Sequence, residues 1–236
     1  MNQDFLLFLL IFLSVDAIAL IALLIYRIRK ELKRKKILHF GDRAEEKVSD
    51  YLKSEFPGAA VLNNVYLKSG RDSVTQLDHI LLCKWGIFVI ETKSHNGRIE
   101  TRGKEWIQFY RDKVVRFHSP LLQNKIHCKA LEYVVRGYDK KGKIPVKGIV
   151  VFTSDKVYLT QRTEGVLKLS QLGPYIKSGG KQIRRRKAIT ATIGGKYLSL
   201  NKIKTLEKWI RKNCVKSFRR KQSHKKMVRT LDHNRI

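Results

Sequence analysis

The chain has 236 residues and a formal net charge of +30, from 50 Lys and Arg against 20 Asp and Glu, which says little about fold but selects nucleic acid or an anionic membrane surface as partners. Its length suits one α/β domain of ordinary size plus appendages, and a hydrophobic content of 43% excludes a chain disordered throughout. Cys83, Cys128 and Cys214 are dispersed, without a Cys-x-x-Cys pair or a zinc-spaced Cys/His cluster, which argues against disulfide and zinc frameworks and fits a reducing compartment.

The first predicted element is an apolar run over residues 5–26, interrupted only by Ser14 and Asp16. At 1.5 Å per helical residue it reaches about 33 Å, enough to cross a hydrocarbon core of about 30 Å. Asp4 precedes the run, and Arg27, Arg29, Lys30, Lys33, Arg34, Lys35 and Lys36 follow it, the reverse of a signal peptide. The segment reads as an uncleaved single-pass anchor in the cell membrane, and its positive flank places everything after Tyr26 in the cytoplasm. That flank is a stop-transfer signal and can also lie on anionic head groups. Asp16 falls near mid-membrane, where it serves self-association or is tolerated as a single protonated carboxyl. Residues 1–36 are thus expected to form the anchor and a basic juxtamembrane segment, 37–180 the folded domain, and 181–236 a basic extension with one helix and a flexible tail.

Residues 42–55 predict a helix, with Ala44, Val48 and Leu52 at core spacing. Glu45 lies on the core-facing side, with two readings open: a metal ligand, or the N3 partner of an Asp42 N-cap. Beyond Pro57-Gly58, strands are expected at 61–67, 75–83 and 87–93, the last apolar on both faces as suits a buried strand. Shorter strands are expected at 98–100 and 114–117, then a helix over 119–136 with Pro120 in its first turn, a strand at 146–152, a short helix at 171–176 and a helix at 200–214. Residues 181–236 carry 19 Lys and Arg against Glu207 and Asp232. Within them Arg184, Arg185, Arg186 and Lys187 suit phosphate binding, against the plainer reading of a solvated loop.

Chemistry concentrates at the central strand pair. Side chains alternate along a strand, so Gln76 and Asp78 share a face, as do Glu91 and Lys93. With Lys84-Trp85 as a two-residue loop, Asp78 stands across from Glu91 and Gln76 from Lys93, at about 5 Å between Cβ atoms. Adjoining carboxylates repel unless one keeps its proton or a cation lies between them. Mg²⁺ or Mn²⁺ is the natural cation for an all-oxygen site. Lys93 is placed to orient or deprotonate a water, or to neutralise charge on a phosphate. A purely structural ion pair needs one acid rather than two. His79 points to the face opposite Asp78 and reads as packing. His95 shares the face of Glu91 and Lys93, open as a contact to DNA or a second metal, while His118 and His127 read as surface or packing groups.

Four pieces occur in a suggestive order: Gly41-Asp42-Arg43-Ala44-Glu45, Gln76-Leu77-Asp78-His79, Gly86-Ile87-Phe88-Val89-Ile90-Glu91-Thr92-Lys93, and Ser119-Pro120-Leu121-Leu122-Gln123 with His127. Over residues 39–135 the chain resembles the nuclease-related domain (NERD), a branch of the PD-(D/E)xK nuclease superfamily. The resemblance implies an α/β fold with a central mixed sheet flanked by helices, a restriction-endonuclease-like core, here preceded by one transmembrane helix. It implies that Asp78 and Glu91 bind a divalent metal, with Lys93 as the catalytic lysine and supporting roles for Glu45, Gln76 and Gln123. Leu77 in place of proline, Ala44 in place of a second glycine and Ser94-His95 in place of an Asn-aromatic pair depart from the pattern without touching the three central groups.

The expected function is therefore a membrane-anchored nuclease dependent on Mg²⁺ or Mn²⁺ and acting on DNA, with RNA also compatible. Asp78, Glu91, Lys93 and Gln76 are the expected catalytic residues, Asp78, Glu91 and Glu45 the metal ligands, and Gln123, Arg184, Arg185, Arg186 and Lys187 the nucleic-acid contacts. The alternative is a catalytically inactive scaffold of the same fold, associated with DNA or membrane. The sequence carries no signal for an oligomeric state.

Overall fold

The computed structural model describes residues 3–71, 73–142, 144–179 and 198–215, with the backbone alone at 4–17, 34 and 36–38. Helix α1 (Gln3–Glu55) is followed by β1 (Ala60–Lys68), β2 (Val74–Cys83), β3 (Gly86–Lys93), β4 (Gly97–Glu100), β5 (Glu105–Tyr110) and β6 (Lys113–His118). Then come α2 (Pro120–Tyr138), β7 (Val146–Phe152), β8 (Val157–Leu159), β9 (Val166–Lys168), α3 (Leu169–Lys177) and α4 (Leu200–Asn213).

The chain separates into two compact units, Met1–Arg43 and Ala44–Ile236. In the first, Ile18, Leu20, Ile21, Leu23, Leu24, Ile25 and Tyr26 are exposed. Among the described residues no helix is long and apolar enough to cross a membrane. Much of the expected span, 5–26, has its side chains outside that description. The expected helix start at Asp42 is corrected: no proline interrupts the chain before it, and α1 runs through Gly41 and Asp42. Asp42 therefore caps nothing, and Glu45 is not an N3 residue.

The second unit is a mixed α/β structure with two sheets. The larger has the order β1-β2-β3-β7-β9, with β1, β2 and β3 antiparallel and β7 and β9 running parallel to β3. Alternation along β2 and β3 gives each face of this sheet its own core. Leu81, Phe88 and Ile90 pack against Val48 and Leu52 of α1 and Leu172 and Ile176 of α3. Ile80, Leu82, Ile87 and Val89 pack against Leu131 and Val135 of α2 and Leu206 and Ile210 of α4. The one helix expected within 181–236 lies against this core. Ile203, Leu206 and Ile210 form one apolar helix face that completes the same core.

The smaller sheet has the order β6-β5-β4-β8 and packs Ile99, Trp106 and Val157 against Val150 and Phe152. β5, β8 and β9 are elements that the sequence pattern did not announce.

Two local features place the functional region. Cys83 pairs with Gly86, so Lys84-Trp85 is the two-residue loop of the β2–β3 hairpin. Gly86 has φ +129, and a Cβ there would meet Pro145 Cγ at 2.9 Å, so only glycine suits the turn. The β2–β3 ladder stops at His79 and Ile90, although β3 continues beside β7 to Lys93 and β2 beside β1 to Val74. The strands part there and leave a fork. Asn64, at φ 53, meanwhile disturbs the alternation of β1. Leu62 and Ile80 before this point, and Val65, Leu67 and Leu77 beyond it, all lie in the α2-side core. Between Ile80 and Leu77 the residue parity of that face changes.

Candidate active site

Glu91 sits where β3 enters the fork and is 2% exposed. Lys93 Nζ donates to Glu91 Oε1 at 2.6 Å and to Gln123 Oε1 at 3.3 Å. His127 follows Gln123 by four residues on α2, so both reach the same face. Its Nε2 lies 3.2 Å from Glu91 Oε2, and its Nδ1 lies 2.7 Å from Thr75 Oγ1. The approach to Glu91 has ion-pair distance without hydrogen-bond alignment, leaving Glu91 Oε2 buried with no hydrogen-bond partner among the described residues.

Counting on from His79 and Ile90 puts Asp78 across from Glu91. The ladder has ended there, and Asp78 Oδ2 accepts the Thr92 N–H at 2.9 Å, satisfying an amide left without its strand partner. Burial pushes the Asp78 carboxyl well above its usual range; Glu91 and then Glu45 push it further, against Lys93 and the Thr92 amide. Burial also pushes Glu91 up, but Lys93 and then His127 outweigh it and hold that carboxyl low. The surroundings therefore push the two carboxyls apart, Asp78 up and Glu91 down.

Among the described residues, no group of three or more His, Cys, Asp or Glu side chains is gathered to hold a metal ion. A small divalent ion that keeps several of its waters needs only one or two carboxylates. The orphaned Glu91 Oε2 and the Asp78 carboxyl, raised by burial and by neighbouring acids, fit such an ion, because both groups gain from a positive charge beside them. Glu45 is half-buried on α1 and acts through its charge: the Tyr66 hydroxyl is raised by burial, then by Glu45 and by Asp78.

Other expected residues fall elsewhere. Tyr66 Oη donates to Gln76 Oε1 and Gln76 Nε2 donates to Asn64 Oδ1, each at 2.7 Å. The change of parity beside Asn64 explains this correction: Gln76 belongs with Tyr66 and Asn64 rather than with Lys93. Gln123, expected to meet nucleic acid, accepts from Lys93. His79 Nδ1 lies 2.9 Å from Asn63 Oδ1 and its Nε2 3.1 Å from Thr92 Oγ1. Burial lowers the His79 pKa to about 4. His95 stacks on Phe117 at 4.3 Å between ring centroids, a packing role, and burial and then Lys93 lower it to about 4. Arg184, Arg185, Arg186 and Lys187 lie outside the described residues. His127, quoted with the Gln123 piece of the resemblance but read as a surface or packing group, stands beside Glu91.

Residues 40–153 match the family model described as the nuclease-related domain. This segment is a nuclease-related domain. It begins within α1, ends just past β7, and contains Glu45, Asp78, Glu91, Lys93, Gln123 and His127. An uncharacterized protein of Bacillus anthracis is 36% identical over 77 residues, which are 32% of this chain and 36% of that protein. The chain thus spans about a third of the curated relative it matches. No solved structure matches. A nuclease-related domain points to nuclease-related function and to nucleic acid as the partner class.

Proposed function

We propose that the chain is a nuclease that hydrolyses DNA phosphodiester bonds with Mg²⁺ or Mn²⁺, held at the cell membrane by residues 5–26 with its nuclease-related domain on the cytoplasmic side. The observation that carries the reading is the fork between β2 and β3, where Asp78 and Glu91 each adjoin the last paired residues and act on one another electrostatically, with Lys93 on Glu91. A mixed sheet with helices on both faces and acids at a strand fork supports a restriction-endonuclease-like core. The apolar run of residues 5–26 and its basic flank support the anchor. The charge of +30 supports a polyanionic substrate.

Asp78 and Glu91 would hold the ion, which when bound polarises a phosphoryl oxygen and lowers the pKa of a bound water. The Thr92 amide fixes the Asp78 carboxyl, and His127 backed by Thr75 stands against Glu91. Lys93, drawn between Glu91 and Gln123, keeps a positive charge at the half-open edge of the fork. There it offsets charge developing on the phosphate as the bond breaks.

A second reading, a nuclease-like scaffold without catalysis, draws on the Lys93 ammonium that already occupies Glu91 Oε1 at 2.6 Å. The two separate cleanly with the full-length chain in mild detergent and supercoiled DNA. The proposal expects nicking with Mg²⁺ or Mn²⁺, none in EDTA, and at least about a hundredfold loss in Asp78→Asn and Glu91→Gln. Robust cleavage by both variants overturns it. Salt-sensitive binding by a parent that never cleaves supports the scaffold.

A further inference from the structure

We propose that the outward face of the β6-β5-β4-β8 sheet is a platform for single-stranded nucleic acid, distinct from the fork. The inward face of this sheet is used: Ile99, Trp106 and Val157 are buried against β7. Alternation therefore sends Arg98, Phe109 and Tyr158 to the opposite face, with Ile107, Val114 and Arg116. The register sets them in rows. Tyr158 pairs with Arg98, Arg98 with Phe109, and Phe109 with Val114, so one line of side chains crosses all four strands. The next line carries Glu100, Ile107 and Arg116.

This face stays open. Tyr158 is 64% exposed and Val114 60%, unlike the helix-covered faces of the larger sheet. The Arg98 guanidinium lies 4.0 Å from the centre of the Phe109 ring on the neighbouring strand and 3.2 Å from Glu100, two residues along its own strand. Bases stack on exposed aromatic rings and on guanidinium planes, and the contact tolerates any sequence because every base has a π-face. A duplex keeps those faces inside its own stack, so a platform of this kind selects single strands.

Charge favours the same occupant. Residues 97–118 carry six Lys and Arg (Arg98, Arg102, Lys104, Arg111, Lys113 and Arg116) against Glu100, Glu105 and Asp112. Glu100 is already paired with Arg98. A docking protein would favour an unbroken apolar patch, whereas guanidinium groups interrupt both rows here. The inference rests on nucleic acid being the ligand class of this chain, and does not need cleavage.

The test uses the full-length chain in EDTA, with fluorescence anisotropy of a labelled oligodeoxythymidine and of a duplex of equal length. Tyr158→Ala should weaken single-strand binding about tenfold and leave duplex binding within about twofold, while Tyr158→Phe, which keeps the ring, binds as the parent does. The assay runs without divalent ions and reads binding alone, so failure of the nuclease reading leaves this result standing. Unchanged single-strand affinity in Tyr158→Ala, equal loss for both probes, or no binding by the parent overturns the proposal. A change of oligomeric state in Tyr158→Ala, read by light scattering, would assign the face to a second copy of the chain and overturn it as well.

Discussion

Asp78 and Glu91 are chemically alike, yet their surroundings shift their carboxyls in opposite directions. Glu91 has Lys93 at 2.6 Å and His127 at 3.2 Å, whereas the hydrogen-bond donor to Asp78 is a neutral amide. A carboxyl whose folded pKa is raised contributes stability that is full below its unfolded value, near 4, and lost as pH rises through the folded value. At neutral pH without divalent ions, the folded protein therefore carries strain at Asp78. Asp78→Asn imitates the protonated acid, so it should melt above the parent by on the order of 4 °C at neutral pH, with the gap closing as pH falls toward about 4. Scanning fluorimetry across pH checks this; a variant that melts below the parent at every pH contradicts it. Lys93→Ala is a poorer probe of catalysis, because removing one partner of a buried pair costs about 3–5 kcal/mol by itself.

Elements differ in how far the sequence announced them. The β2–β3 hairpin was legible because its determinants are short-range: alternating apolar residues, a two-residue loop and Gly86 fix the register as far as His79 beside Ile90, one step short of Asp78 and Glu91. Gln76 was misplaced because one left-handed residue on the neighbouring strand, Asn64, upset the alternation. His127 was read as packing because the spacing of a helix shows which residues share a face, not what that face meets. The parallel pairing of β7 with β3 and β9 joins distant segments, and three-residue strands such as β8 and β9 are too short to show a period. Helix α4 was found but set apart, since basic residues surround its apolar stripe. Its place in the core predicts that Leu206→Ala costs about 2–5 kcal/mol in urea unfolding. A cost near zero would detach the helix from the domain.

For the whole molecule, stability and substrate attraction pull on different parts of the charge. The fold keeps His79 and His95 neutral, each with a pKa lowered to about 4. A histidine depressed in this way contributes stability that is full above its unfolded value, about 6.5, and is lost as pH falls toward the folded value. Asp78 acts in the opposite direction over the same window, so the difference between proteins is the informative quantity. The parent should lose stability on acidification more steeply than His79→Gln, by about 1.4 kcal/mol per pH unit between about pH 6 and pH 4.5. Parallel curves in urea unfolding would show that His79 is protonated as freely in the folded protein as in the unfolded one. The net charge of +30, meanwhile, makes attraction to any polyanion salt-sensitive, which leaves selectivity to the fork and to the outer sheet face.

Titration of the full-length chain with Mn²⁺, following the electron paramagnetic resonance signal of the free ion, addresses the fork most directly. The parent should deplete the free-ion signal, and Asp78→Asn and Glu91→Gln should leave it unchanged while still unfolding cooperatively. Equal depletion by the parent and both variants, or none by the parent, would contradict a cation site between the two carboxylates.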